Sequence, residues 1–356
     1  MKTLFLFFSL FFVLATNAQN YDLITGGSIG DAEKYSKAYL APLERGMGHG
    51  GAVGIINFTN AKRKISVNLS MELSAAITPK GQRSFDINTL GFEEFQASDP
   101  NQSIAQSISG TDKTIGIETK STYYKPSLSY PFYQEVPVAE FISPKGTGLS
   151  FMPLPTLTLG VYGFGTHLNF RFLPTIHPSA EMDFSTYGFS LQHNLDEFIP
   201  KIKEWPVQIA LAGGYQYTHM EDHLDIQPDE TKFGLQLGSD NGPYNNQKGE
   251  ITIVSIPLQV VVYHDFNGFT LFGGLGYTMT HSEMALKGNF PVYVKDITDN
   301  FKLSVDDISD PYAYSRSYNG FRFDLGLNYQ IGFAKIKASY TYSKYQSFHF
   351  GVGVAI

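Results

Sequence analysis

No cysteine occurs in the 356 residues. That excludes a disulfide framework, a thiolate metal site and a lipid anchor on an N-terminal cysteine. Charge is also scarce: 17% of residues are charged, 26 basic against 33 acidic, for a formal net charge of −7. A nucleic-acid partner calls for a basic stripe, which this chain lacks. No window approaches the roughly 18 consecutive apolar residues of a membrane-spanning helix. There is one Trp, against 22 Tyr, 29 Phe and 34 Gly. An aromatic-rich, Gly-rich chain of low average hydrophobicity fits alternating apolar and polar faces, as a β-barrel has.

Both ends point to export. Lys2 precedes an apolar stretch from Leu4 to Leu14, and Thr16-Asn17-Ala18 follows with small residues at the cleavage positions. Eleven residues are too few to span as a helix, so residues 1–18 read as a secretory signal cleaved after Ala18. At the other end, Phe348, Phe350, Val352, Val354 and Ile356 share one face, opposite Ser347, His349, Gly351, Gly353 and Ala355. Strands place alternate side chains on opposite faces. An apolar strand left unpaired at a chain end invites aggregation, whereas a membrane barrel closes its last strand on its first.

Period-two alternation recurs along the chain. Ile65 to Ile77 sets Ile65, Val67, Leu69, Met71, Leu73, Ala75 and Ile77 against Ser66, Asn68, Ser70, Glu72, Ser74 and Ala76. Thirteen residues exceed the ~5–6 of an ordinary strand and suit a tilted membrane strand. Phe321 to Ile331 opposes its aromatics and aliphatics to Arg322, Asp324, Gly326, Asn328 and Gln330; Ala334 to Lys344 does the same with Lys335 and Lys337. Short turns are expected at Gly163-Phe164-Gly165, Asp265-Phe266-Asn267-Gly268 and Gly332-Phe333, and long polar segments at Met220 to Glu250 and Lys287 to Asn319. Counted back from a periplasmic C-terminus, the long segments lie outside and the short turns inside, the asymmetry of outer-membrane barrels. The expectation is an all-β, transmembrane antiparallel β-barrel over residues 63–356. It has 12 visible strands, or about 14 if Met47 to Phe58 and Ser84 to Phe95 also pair. Leu195 to Trp205 reads as a short amphipathic helix at the periplasmic surface or as a polar turn.

Residues 19–62 read as an N-terminal hatch. Asp31 to Leu43 has near-helical apolar spacing and ends at Pro42 and a Gly-rich run. Gly46, Gly48 and Gly51 form a literal G-x-G-x-x-G, but a dinucleotide site needs it on a strand-to-helix turn. Close backbone approach in a plug is the better reading. His219-Met220-Glu221-Asp222-His223 matches no helical zinc motif, and the acidic runs 221–230 and 296–310 lack regular ligand spacing. No metal or cofactor is therefore expected.

An outer-wall lipid hydrolase would need an outward Ser–His pair with an orienting partner. His264 and His281 take the outward phase, but no partner Ser is evident, so no catalytic residue is assigned. If the turn at Gly332-Phe333 is tight, Gln330 faces Lys335, Asn328 faces Lys337 and Asp324 faces Thr341. His167, Asn169 and Arg171 add a second polar set. Ionisable groups at membrane depth face a lumen and find partners. These residues form either a rigidifying network or a solute path.

Several stretches resemble uncharacterised outer-membrane proteins related to long-chain fatty-acid transporters (FadL-type). They are Tyr39-Leu40-Ala41-Pro42-Leu43, the glycines to Gly51, the strand from Ile65, and Pro153-Leu154-Pro155 through Gly160. Gly165-Thr166, Arg171-Phe172-Leu173-Pro174 and Gln192-His193-Asn194 to Ile199-Pro200 belong with them. The resemblance implies a hatch-gated barrel for passive uptake of small hydrophobic molecules, located in the Gram-negative outer membrane. Its ligand path would draw on Tyr39, Leu40, Leu43, Asn68, Glu72, His167, Arg171, Arg322, Asp324, Lys335 and Lys337. Expected partners are outer-membrane lipid and lipopolysaccharide, the barrel-assembly machinery through the C-terminal strand, and a small hydrophobic ligand. The alternative is a structural or assembly protein, with long loops that bind a partner and a lumen closed by its own side chains.

Overall fold

The computed structural model describes residues 25, 28–58, 65–126, 133–195, 205–228, 236–237, 242–295 and 303–356. The expected signal segment, 1–18, and most of the amphipathic stretch at 195–205 lie outside them.

Alternation builds the wall. Ten strands pair with their neighbours in antiparallel register: β1 (Ile65–Ile77), β2 (Phe151–Gly163), β3 (Thr166–Ile176), β4 (Met182–Asn194), β5 (Gln208–His223), β6 (Lys248–Asp265), β7 (Phe269–Lys287), β8 (Gly320–Ile331), β9 (Ala334–Tyr342) and β10 (Ser347–Ala355). β10 pairs with β1, Val352 opposite Met71, which closes the ring. The side chains expected to face out do so: Leu69, Phe323, Ile336 and Phe350 are all exposed. Exposed apolar residues recur on every barrel strand from β1 to β10, with Tyr187, Phe189 and Leu191 on β4 and Leu211 on β5 among them. A contiguous apolar belt of this extent needs a bilayer to cover it.

The three short turns fall where the sequence places them, with Phe164, Phe266 and Phe333 exposed at their tips. The facing pairs across the last of them, Gln330–Lys335, Asn328–Lys337 and Asp324–Thr341, are also as expected. At the opposite end the connections are long, and the wall is uneven. β6 and β7 run 18 and 19 residues, whereas β9 and β10 have nine each. Above β8, a short strand at Tyr312–Ser317 takes over the pairing with β7 from His281 to Leu286.

The strand number is a correction: ten strands form the barrel among the described residues, in place of 14 or 12. Residues 78–126 and 133–150 fold as a cap at the long-loop end, with Thr78 N donating to Ser150 O at 2.8 Å where the insertion opens and closes. Its strands have three to five residues, too short for an apolar band ~25 Å tall. Ser84 to Phe95 contributes only Ser84–Asp86 and the first residue of Phe95–Ala97, both paired within the cap.

Met47 to Phe58 is not a wall strand either. Helix α1 runs from Ile29 to Ala52, nine residues past the expected end at Leu43, and residues 53–58 continue beyond it. Each helical Gly costs about 1 kcal/mol relative to Ala. Here the glycines let the wall approach: a Cβ on Gly46 would lie 2.6 Å from Met152 Cγ, and one on Gly51 would lie 3.1 Å from Gln216 Cγ. The expected reading of this motif, close backbone approach in a plug, holds.

Candidate functional site

The lumen of the barrel is the natural place for a site, and it is occupied by the chain itself. α1 lies inside the ring, in contact with β1, β2, β5, β6, β7 and β10. A helix leaves its last four carbonyls without intrahelical donors and carries partial negative charge there. The wall meets this end with cations. Arg171 Nη1 on β3 donates to Gly51 O at 3.2 Å and Val53 O at 2.8 Å. From β8, Arg322 Nη1 donates to Ala52 O at 2.5 Å, and from β9 Lys337 Nζ reaches Gly54 O at 2.7 Å. Lys335 donates to the side-chain oxygen of Asn57.

Two carboxylates balance these four cations. Arg322 holds Asp324 in a fork of 2.6 and 2.8 Å, and Thr341 also donates to Asp324. Glu72 lies 3.7 Å from Arg171 Nε, 3.4 Å from Lys337 Nζ and 3.6 Å from His349 Nε2. All of these side chains are buried. Charges removed from water need partners with good geometry, and loss of one partner leaves the other uncompensated.

Below the clamp, residues 55–58 are tied to the wall group by group. Asn57 N donates to Gln192 Oε1 at 2.9 Å and Asn57 Nδ2 to Asn169 Oδ1 at 2.8 Å. Ser190 Oγ donates to Ile55 O at 3.2 Å and Asn328 Nδ2 to Phe58 O at 3.3 Å. Phe58 closes the short-turn end, its ring 4.6 Å from that of Tyr263 and 5.4 Å from that of Phe272.

The expected ligand-path residues divide into two groups. Asn68, Glu72, His167, Arg171, Arg322, Asp324, Lys335 and Lys337 all face the lumen and are buried around the plug. Most bond to it or to one another; the His167 ring packs against Tyr162 and Phe58. Tyr39, Leu40 and Leu43 lie one level higher. They pack with the cap residues Ile87, Phe95 and Ile117 in one apolar core, and Tyr39 OH donates to Lys145 O at 2.7 Å.

Asn57, Ser190, Gln192 and His349 escaped the sequence-based selection. The inward phase of β4 and β10 marks the last three, whereas Asn57 sits in a stretch with no periodicity. Asp31 and Glu44 escaped it too. Tyr314 and Tyr318 donate to Glu44 at 2.8 and 2.6 Å.

Asp31 anchors the cap to α1. Its carboxylate accepts from the backbone N–H of Glu93 at 3.0 Å, Glu94 at 2.7 Å and Phe95 at 3.0 Å, and from Lys34 Nζ at 3.2 Å. Burial acts to raise its pKa, but the three N–H groups and Lys34 outweigh it and hold the pKa below the ordinary value. A carboxyl lowered in the folded state contributes stability above its unfolded pKa of about 3.9 and loses it as pH falls through the folded value. Asp31→Asn is therefore expected to weaken cap docking at neutral pH by about 1.5–3 kcal/mol. Cap proteolysis should rise accordingly, and the gap from the parent should close in strong acid.

An apolar groove of about 900 Å³ crosses β6 to β10 and β1, lined by Leu73, Leu271, Leu325, Ala338, Phe348 and Phe350 among others. On β7, His281 Nδ1 lies 3.2 Å from Ser317 Oγ, and Nε2 lies 3.3 Å from Glu283. This is an outward Ser–His pair with an acidic neighbour, but all three residues are exposed. Both ring nitrogens thus have a partner, and water competes for each contact at this exposed position. His219 and His223 lie near Glu221, at 3.9 and 3.5 Å, which Lys248 also binds. No group of metal-ligating side chains occurs among the described residues.

A family model matches residues 1–356. The chain belongs to DUF6588, a family of unknown function. No curated protein matches. Among solved structures, this DUF6588 chain is similar to Ail, the attachment invasion locus protein of Yersinia pestis. Identity is 9%, coverage 83% of this chain and 100% of that one, and the TM-score 0.25. It is also similar to the translocator domain of the autotransporter NalP from Neisseria meningitidis, at 10% identity, 90% and 96% coverage and TM-score 0.28.

Proposed function

We propose that this chain is a structural, non-catalytic outer-membrane barrel with a closed lumen, which presents the folded cap at the cell surface for contact with a partner. One observation carries the reading. α1 and residues 53–58 fill the lumen from cap to short turns, and the wall donates to the plug backbone from β3, β4, β6, β8 and β9. The apolar belt and aromatic turn tips fit a bilayer with the short turns on the periplasmic side. The lipid, lipopolysaccharide and assembly-machinery contacts expected from the sequence belong to this placement.

Hydrophobic uptake is the second reading, and the outer groove favours it. Besides its lipid-facing lining, the groove reaches Gly326, Ser339 and His349, whose side of the wall is the lumen. Against it stands the wall itself, since β6 to β10 and β1 pair without interruption at the level of the groove.

Conductance in planar bilayers separates the readings. The intact barrel is expected to carry no steady current. A variant lacking residues 28–58, shown to be folded by heat-modifiable migration, should conduct and prefer anions, because Arg171, Arg322, Lys335 and Lys337 then face Glu72 and Asp324 alone. Steady current through the intact barrel, or uptake of a fatty acid by vesicles that contain it, rules out the closed-lumen reading.

A further inference from the structure

The direction of α1 sets where the N-terminal arm emerges. We infer that the chain is threaded through its own barrel, with the residues ahead of Ile29 delivered to the cell-surface side beside the cap. The inference rests on the orientation proposed above, with the long loops outside.

Contacts along α1 descend in one direction. Asp31 binds cap backbone at Glu93 to Phe95, and Lys34 Nζ donates to Gly91 O at 2.7 Å. The hydroxyls of Ser36 and Tyr312 are 2.6 Å apart, and Arg316 donates to Lys37 O at 2.7 Å, both on the raised strand above β8. Glu44 comes next, at Tyr314 and Tyr318. Ser255 then donates to Gly48 O at 2.8 Å in mid-wall. The clamp holds Gly51 to Gly54, and Phe58 ends at the level of Asn328, four residues from the short turn at Gly332. β1 starts at that same end, where Ile65 faces Gly163.

A hatch that entered from the periplasm and stayed there would show the reverse order, or two passes. One descending pass leaves the start of α1 at the mouth that carries the cap. The closed ring excludes a route through the wall. The barrel thus holds its own N-terminal arm as a translocated segment, which leaves the ring at Ser28 beside the cap.

The absence of cysteine makes the test clean. Gly30 is exposed, and a side chain there meets open space. Single variants Gly30→Cys, Lys113→Cys in the cap and Phe333→Cys at a short turn are treated in intact cells with a membrane-impermeant maleimide. Ser28→Cys serves as a second arm variant, since Ser28 makes no capping bond. Threading predicts that Gly30→Cys and Ser28→Cys label in intact cells as Lys113→Cys does, with Phe333→Cys labelled only after the envelope is opened. Lys113→Cys labelled in intact cells while both arm variants react only in opened cells overturns threading alone. Phe333→Cys labelled in intact cells while Lys113→Cys is protected overturns the orientation, and surface delivery of the arm with it.

Discussion

Replacing Glu72 by Gln is expected to cost about 3–5 kcal/mol of barrel stability, the range for breaking a buried ion pair on one side. Glu72 is the carboxylate between Arg171, Lys337 and His349, and Ser70 Oγ also donates to it at 3.0 Å. Gln keeps the volume and removes the charge. Arg171 and Lys337 then remain buried with only backbone carbonyls to face. Adding Lys337→Met should restore part of the loss, because removing both members of a buried pair is often close to neutral. Urea unfolding in lipid vesicles measures both variants. A loss below about 1 kcal/mol, the value of a solvated ion pair, would show a lumen open to water.

Gly54→Ala is expected to destabilise by about 2–5 kcal/mol through two separate costs. Gly54 has φ +75°, where an L-side chain costs about 1–2 kcal/mol. Its Cβ would also stand 2.6 Å from Nδ1 and 2.8 Å from Nε2 of the His349 ring, and overpacking of this kind costs about 1–3 kcal/mol. The ring cannot retreat, since Ser74 Oγ lies 3.1 Å from its Nδ1 and Glu72 lies on the other side. Gly91→Ala isolates the backbone cost: φ is +67° but the space around it is open. Equal losses for the two variants would mean that residues 53–58 do not press on the wall.

The wall was legible in the sequence because its rule is local. Period-two alternation in Ile65 to Ile77, Phe321 to Ile331 and the last strand gave both the faces and the turn at Gly332-Phe333, and with them the polar residues of the lumen. Strand number was not legible. In the cap, short apolar runs such as Phe95–Ala97 and Gly116–Thr119 resemble wall strands, and only tertiary packing shows that they pair with each other. The plug was half legible. Tyr35, Tyr39 and Leu40 gave the first helical turns, but the glycines and Pro42 argued for a stop at Leu43. What carries α1 onward to Ala52 lies far off in sequence, in Arg171, Ser255 and Arg322. The site followed the same division: Arg171 and Lys337 stood out by charge and phase, whereas Asn57 had no signal of its own.

The central claim is that α1 lies inside a closed ring, and one pair of positions tests it most directly. A Cβ on Gly50 would lie 3.8 Å from Cβ of Ala76 on the lumen face of β1, which is about the mean separation across a disulfide. The double variant Gly50→Cys/Ala76→Cys introduces two thiols into a chain that has none. The account predicts that mild oxidation of the folded barrel joins them in nearly every molecule, leaving no thiol for maleimide after denaturation. Two free thiols in the oxidised, folded protein would place the helix elsewhere and contradict the plugged barrel.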